Sequence, residues 1–112
     1  VSAKVKNSDC GLGDDCDAYA EVGLGSAAAV KSPTKDNTET PTWNFKLFDA
    51  QDKDLLSKKL KIVVKDDDGS LNPDDLIDTC ELQVTGQDLT AGTLVATCGT
   101  KVQALTFSFT KI

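Results

Sequence analysis

Five aspartates crowd into ten residues: Asp66, Asp67, Asp68, Asp74 and Asp75, with Gly69, Ser70, Leu71, Asn72 and Pro73 between them. Carboxylates about 5 Å apart repel by roughly 3 kcal/mol at an effective dielectric near 20, so such a cluster favours capture of a cation. Oxygen-only donors on a glycine- and proline-broken loop suit a hard cation. Calcium fits better than magnesium, because it accepts irregular carboxylate cages where magnesium demands an octahedron. The plainer alternative is a solvated acidic turn. An EF-hand is excluded. Aligning Gly69 with that loop's glycine puts Val64 at the first ligand position, and the segment leaves a strand rather than a helix. Any site built here must therefore draw further ligands from elsewhere in the chain.

The second acidic stretch is Asp9, Asp14, Asp15 and Asp17. Together with Asp78, the two stretches hold ten of the eighteen acids, while the rest of the chain carries all twelve lysines. The net charge of −6 thus describes an acidic end on a mildly basic body. A phosphate backbone would be repelled from that end, which argues against nucleic acid as a partner. Histidine and arginine are absent, so imidazole acid–base catalysis, histidine metal sites and arginine clamps on phosphate fall away. Nothing pairs a nucleophile with a base, and the chain is expected to bind rather than catalyse.

Four cysteines allow three pairings. The sequence-local one, Cys10–Cys16 with Cys80–Cys98, is preferred, because each bridge closes a single loop or hairpin. Zinc is the rival, but these spacings lack the close Cys-x-x-Cys pairs of structural zinc sites. Two disulfides imply an oxidising compartment, hence a secreted or outward-facing protein. At 112 residues, 39% hydrophobic and 27% charged, residues 1–112 form one domain. Its first residue is Val1 and it contains no methionine, so it is expected to be a processed mature chain or an excised domain.

The elements that must hold these loops are short and alternate with period two. Strands are expected at Val1–Lys6, Ala18–Leu24, Ala27–Lys31, Trp43–Phe48, Leu60–Lys65, Leu76–Val84, Leu94–Cys98 and Val102–Thr110, the last with Leu105, Phe107 and Phe109 on one face. A helical turn is expected around Leu55 and Leu56. Ser32–Thr42 reads as a turn-rich connection with no core-forming residue. Tyr19 and Trp43 read as core, and Lys59, Lys61 and Lys65 as a solvated strand face. This pattern predicts an all-β fold, an antiparallel β-sandwich. Loops of a sandwich gather at its two ends, so both acidic stretches can share one end.

Three motifs then resemble those of C2 domains. Asp17-Ala18-Tyr19-Ala20-Glu21-Val22 is similar to the family's Asp-Pro-Tyr-Val-x-Val. The run from Asn37 through Pro41 to Trp43-Asn44 is similar to Asn-Pro-x-Trp-Asn. Leu60-x-Ile62-x-Val64-x-Asp66-x-Asp68, followed by Asp74-Asp75-Leu76-Ile77, resembles the third calcium loop. The likeness spans nearly the whole chain in order. Ala18 in place of proline and the Thr79-Cys80 pair make it look most like the perforin-type domain.

The resemblance implies an eight-stranded sandwich of type II strand order, a non-enzymatic module that binds calcium in its apical loops and docks on phospholipid, anionic or zwitterionic. Carried over by position, Asp17, Asp66, Asp68 and Asp75 are the expected ligands, with Asp74 as helper and the carbonyl of Asp67 coordinating. In the shortened first loop the other aspartate stays open, with Asp14 preferred over Asp15 and Asp9 third. Leu12, Leu71 and Asn72 would touch the membrane, shallowly, since neither loop holds an aromatic residue. The domain is expected to be a monomer in solution. The alternative function is a secreted, calcium-stabilised module for a protein or glycan partner; a purely structural sandwich comes third.

Overall fold

A computed structural model describes residues 2–8, 16–38, 41–67, 75–99 and 102–111. Two antiparallel sheets face one another. The first has the order β5 (Thr42–Asp49), β1 (Ser2–Ser8), β9 (Val102–Thr110), β8 (Thr93–Cys98). The second has the order β3 (Val30–Lys31), β2 (Cys16–Leu24), β6 (Leu60–Asp66), β7 (Asp75–Leu82), and β4 (Lys35–Thr38) also pairs with β2. Alternation sends one face of each strand inward: Ala18, Ala20 and Val22 from β2, Leu60, Ile62 and Val64 from β6, Leu105, Phe107 and Phe109 from β9. Trp43 is core as expected, and its indole N–H donates to the Ala18 carbonyl at 3.2 Å. Tyr19 is buried too, but it stands outside the central cluster. Lying between two inward alanines it points to the other face, where the Lys31 ammonium caps its ring at 4.1 Å from the centroid.

Nine strands stand among the described residues where eight were expected, and Ser32 shows why. The edge of β2 is bonded by β3 at Glu21 and Val22 and by β4 at Cys16 and Ala18. Between them Ser32 takes the place of a strand residue. Its N–H donates to the Ala20 carbonyl and its hydroxyl accepts the Ala20 N–H, both at 2.8 Å. The two short strands therefore occupy one interrupted lane, which leaves four lanes per sheet. Ser32–Thr42 is accordingly no plain connection: Ser32 is 2% exposed and Pro41 is fully buried. Ser32→Ala would strand the N–H of Ala20, and is expected to cost about 2 kcal/mol, a fall of roughly 8 °C in melting temperature. An unchanged melting curve would show that the lane holds without it.

The first strand of that lane is also shorter than expected, because residues 25–29 form the turn before it. In the other direction β1 reaches Ser8, since β5 and β9 flank it and pair Asn7 with Thr42 and Ser8 with Leu105. Helix α1 (Asp52–Ser57) covers the expected helical turn and buries Leu55, and Gln83 donates to the carbonyls of Leu55 and Leu56 at 3.1 and 3.0 Å. Helix α2 (Gly86–Ala91) was not expected. It begins in a reciprocal cap, Thr85 Oγ1 accepting from Asp88 N–H and Asp88 Oδ2 from Thr85 N–H, and ends at left-handed Gly92 (φ 78°). This leaves β7 ending at Leu82 rather than Val84.

The Cys80–Cys98 disulfide is formed, with Cα atoms 5.3 Å apart. It joins β7 to β8, the strands at one side of the two sheets. The expected Cys10–Cys16 bridge falls outside the described residues, apart from the Cys16 backbone.

Candidate functional site

The described ends of the two acidic stretches, Asp17 and Asp66–Asp67, meet because of strand register. β2 starts where β6 stops: Ala18 lies opposite Asp66, and Asp66 lies opposite Asp75, the first residue of β7. Three neighbouring strands thus bring Asp17, Asp66, Asp67 and Asp75 to one end of the sandwich, where stretches 9–15 and 68–74 attach.

Asp17, Asp66 and Asp67 interlock. The backbone N–H of Asp17 donates to Asp66 Oδ1 at 2.9 Å, and the N–H of Asp67 returns to the Asp17 carbonyl at 2.8 Å. Asp67 Oδ2 accepts from the Thr34 hydroxyl at 3.4 Å. All three aspartates are half-buried. One carboxylate oxygen of Asp66 is therefore fixed by the backbone of the other acidic stretch, and the side chain of Asp67 is held towards Thr34. Thr34 is a supporting residue the sequence did not suggest, because its only signal is spatial.

Asp14, Asp15, Asp68, Asp74, Leu12, Leu71 and Asn72 lie outside the described residues, as does the side chain of Asp75. Among the described residues no three acidic or sulfur side chains come together at metal-holding distances.

Asp78, the fourth residue of β7, serves the scaffold. Its Oδ2 accepts the Val102 N–H at 3.0 Å. Its carboxylate also fills the space over Gly99 (φ 64°), where a β-carbon would collide with it. The start of β7 is thereby tied to the turn between β8 and β9. A bulge in β7, where pairing slips between Val64–Asp78 and Lys65–Leu76, realigns the strand just before the acids. It leaves Ile77 buried and Leu76 56% exposed. Leu76 is thus an exposed apolar residue beside Asp75, and the motif reading passed over it.

Of the three lysines, Lys65 pairs with Glu21 at 3.1 Å and Lys59 with Glu81 at 4.0 Å, in keeping with a solvated face. A cavity of about 250 Å³ lies at the far end, on Leu24, Val30, Phe48 and Ala50, with paired charges Asp54–Lys58 at its rim. It is remote from Asp17, Asp66 and Asp67. No helix among the described residues is long and apolar enough to cross a membrane.

A family profile described as "C2 domain" matches residues 2–96. No curated protein matches the chain. Among solved structures, one described as a C2 domain is 24% identical with a TM-score of 0.62, over 96% of this chain and 92% of that one. A C2 domain of plant extended synaptotagmin 1 is 15% identical with a TM-score of 0.71, over 98% and 95%. Human GIVD cytosolic phospholipase A2, solved with an inhibitor and terbium chloride, is 18% identical with a TM-score of 0.65. This chain covers 16% of its length, and 96% of this chain is matched. At these identities the structural likeness speaks for the fold alone.

Proposed function

The chain belongs to the C2 domain family, a family of non-catalytic binding modules, and on that premise we propose that it attaches to phospholipid membranes in a calcium-dependent manner. The observation that carries this reading is the interlock of Asp17 with Asp66 and Asp67. Two acidic stretches distant in sequence are hydrogen-bonded to each other at one end, through half-buried aspartates, Asp17, Asp66 and Asp67, whose side chains offer oxygen alone. That donor chemistry fits a hard cation.

Asp17, Asp66 and Asp75 would hold calcium with Asp68 and Asp74, the carbonyl of Asp67 and a first-loop aspartate, Asp14 or Asp15. When bound, calcium supplies positive charge and open coordination positions for lipid phosphate oxygens. The chain's own residues do the rest. Asp17 N–H aims the Asp66 carboxylate, Thr34 steadies Asp67, and Leu76 joins Leu12, Leu71 and Asn72 as contacts at the membrane surface.

The order β5-β1-β9-β8, with the first strand beside the last, supports the type II arrangement. Ala18 and Thr79-Cys80 support the perforin-type subgroup. The Cys80–Cys98 disulfide supports an oxidising, extracellular location.

Co-sedimentation with mixed phosphatidylserine–phosphatidylcholine vesicles is the test. The protein is expected in the pellet with millimolar calcium and in the supernatant once a chelator is added. Binding that ignores the chelator would defeat the calcium mechanism. A calcium-induced rise in melting temperature without any pelleting would point to a protein or glycan partner instead.

A further inference from the structure

We propose that, in place of the monomer expected from the sequence, the protein dimerises through β8, which pairs antiparallel with the same strand of a second copy of this chain. Among the described residues the two sheets end in four edge lanes, and three of them carry the charges that deter pairing with another chain. β5 has Lys46 and Asp49. The β3–β4 lane has Lys31 and Lys35, and β7 has Glu81, all exposed. β8 has none. Residues 89–100 are the longest run without a charged side chain in the entire sequence. The strand itself, Thr-Leu-Val-Ala-Thr-Cys, is rich in β-branched residues and holds neither proline nor glycine. At its centre Val95 is 62% exposed, the most exposed large apolar side chain among the described residues.

Hydrogen-bond phase shows which amides face outward. Phe109 N–H donates to the Gly92 carbonyl at 2.9 Å, and Leu94 and Ala96 lie opposite Phe107 and Leu105. Antiparallel ladders alternate, so the N–H and C=O of Thr93 and Val95 point away from β9. The strand is also held ready: its end is tied to β7 through Cys80–Cys98 and its start is set by Gly92.

A second copy fits this edge on two counts. A chain of net charge −6 approaches itself with least repulsion along its uncharged stretch. Pairing about a two-fold axis at Leu94 also sets Thr93 against the partner's Val95 and Val95 against the partner's Thr93. That places β-branched residues opposite each other, with the outward N–H and C=O groups joined across the axis. The first sheet would then run continuously through both copies. Antiparallel strands put the two acidic ends at opposite poles, so the dimer would tether two membranes. That consequence rests on the membrane-binding reading above; the dimer does not.

Sedimentation equilibrium on the whole protein, without lipid, tests the edge. Wild type is expected to dimerise between micromolar and millimolar concentration. Val95→Lys, at an exposed position, is expected to weaken the dimer about tenfold or more while keeping its melting temperature. Thr93→Lys combined with Val95→Glu places opposite charges across both pairs and is expected to restore it. Three results would each overturn the dimer: a wild type monomeric at millimolar concentration, a Val95→Lys variant that associates as wild type does, or a double variant no better than Val95→Lys. In calcium-loaded vesicle suspensions, wild type should cluster the vesicles, whereas Val95→Lys should bind them without clustering. A dimer that binds vesicles without clustering them removes the tether. If no form pellets, the membrane reading fails and the dimer stands.

Discussion

Asp66→Asn is expected to abolish the calcium response while leaving the apo protein folded and as stable as wild type. The asparagine side-chain oxygen can still accept the Asp17 N–H that Asp66 Oδ1 accepts at 2.9 Å, so the junction between the acidic stretches survives. What disappears is one negative charge at a place where others already crowd, and with it an anionic ligand. Wild type, given calcium in a hundredfold excess over its dissociation constant, should gain about 2.7 kcal/mol. For a chain of 112 residues this is a rise of roughly 10 °C in melting temperature.

The asparagine variant should show little of that rise and should not pellet with anionic vesicles. Asp66→Ala should also lose the apo hydrogen bond, which lowers the baseline by about 1 kcal/mol. Asp49→Asn and Asp52→Asn, at the other end of the sandwich, should respond to calcium as wild type does. Calorimetric melting with and without calcium reads all four. An Asp66→Asn protein that still gains the full increment would remove Asp66 from the site. Magnesium should give much less than calcium throughout, because its octahedral demand suits these loops poorly.

Removing the Cys80–Cys98 bridge is the other large effect expected. The two cysteines are 18 residues apart, and in the chain-entropy model a loop of that size contributes about 3 kcal/mol by restricting the unfolded chain. Paired replacement by alanine should therefore lower the melting temperature by roughly 12 °C. The cost exceeds that of an ordinary surface change because the bridge spans two sheets along a side where, among the described residues, no ladder joins β7 to β8. Cys98 is wholly buried, so a reductant should act slowly on the folded protein and quickly once it opens. A loss under about 3 °C would mean that packing of Val84, Leu105 and Phe107 already holds the sheets in place.

Much of the architecture could be read from local pattern. Period-two alternation marks β5, β6 and β9, and it sets Leu105, Phe107 and Phe109 on one face, the face the structure buries. Charge crowding marked Asp66–Asp75, and the Leu55–Leu56 pair marked α1. The signal for α2 was also in the sequence, as Thr85 three residues before Asp88 with Gly92 beyond, but aspartate in place of the usual glutamate or glutamine made that capping box easy to pass over. These features are legible because each depends on residues a few positions apart.

What only the tertiary structure decided depends on groups that meet across long separations. Ser32 looks like a surface serine until β2 offers it the Ala20 amide in the gap between β3 and β4. Asp78 looks like one more member of an acidic cluster until the β8–β9 turn presents the Val102 N–H and the bare face of Gly99. Thr34 becomes part of the site only because β2 and β6 place Asp67 beside it. Even β8 becomes an edge only because the order β5-β1-β9-β8 gives it, among the described residues, a ladder on one side alone. Composition and periodicity fix which face of each strand is buried, because that follows from the side chains' own preference for oil or water. Register, lane order and the partners of buried polar groups follow from how the strands close on one another, and no local stretch of chain contains that information.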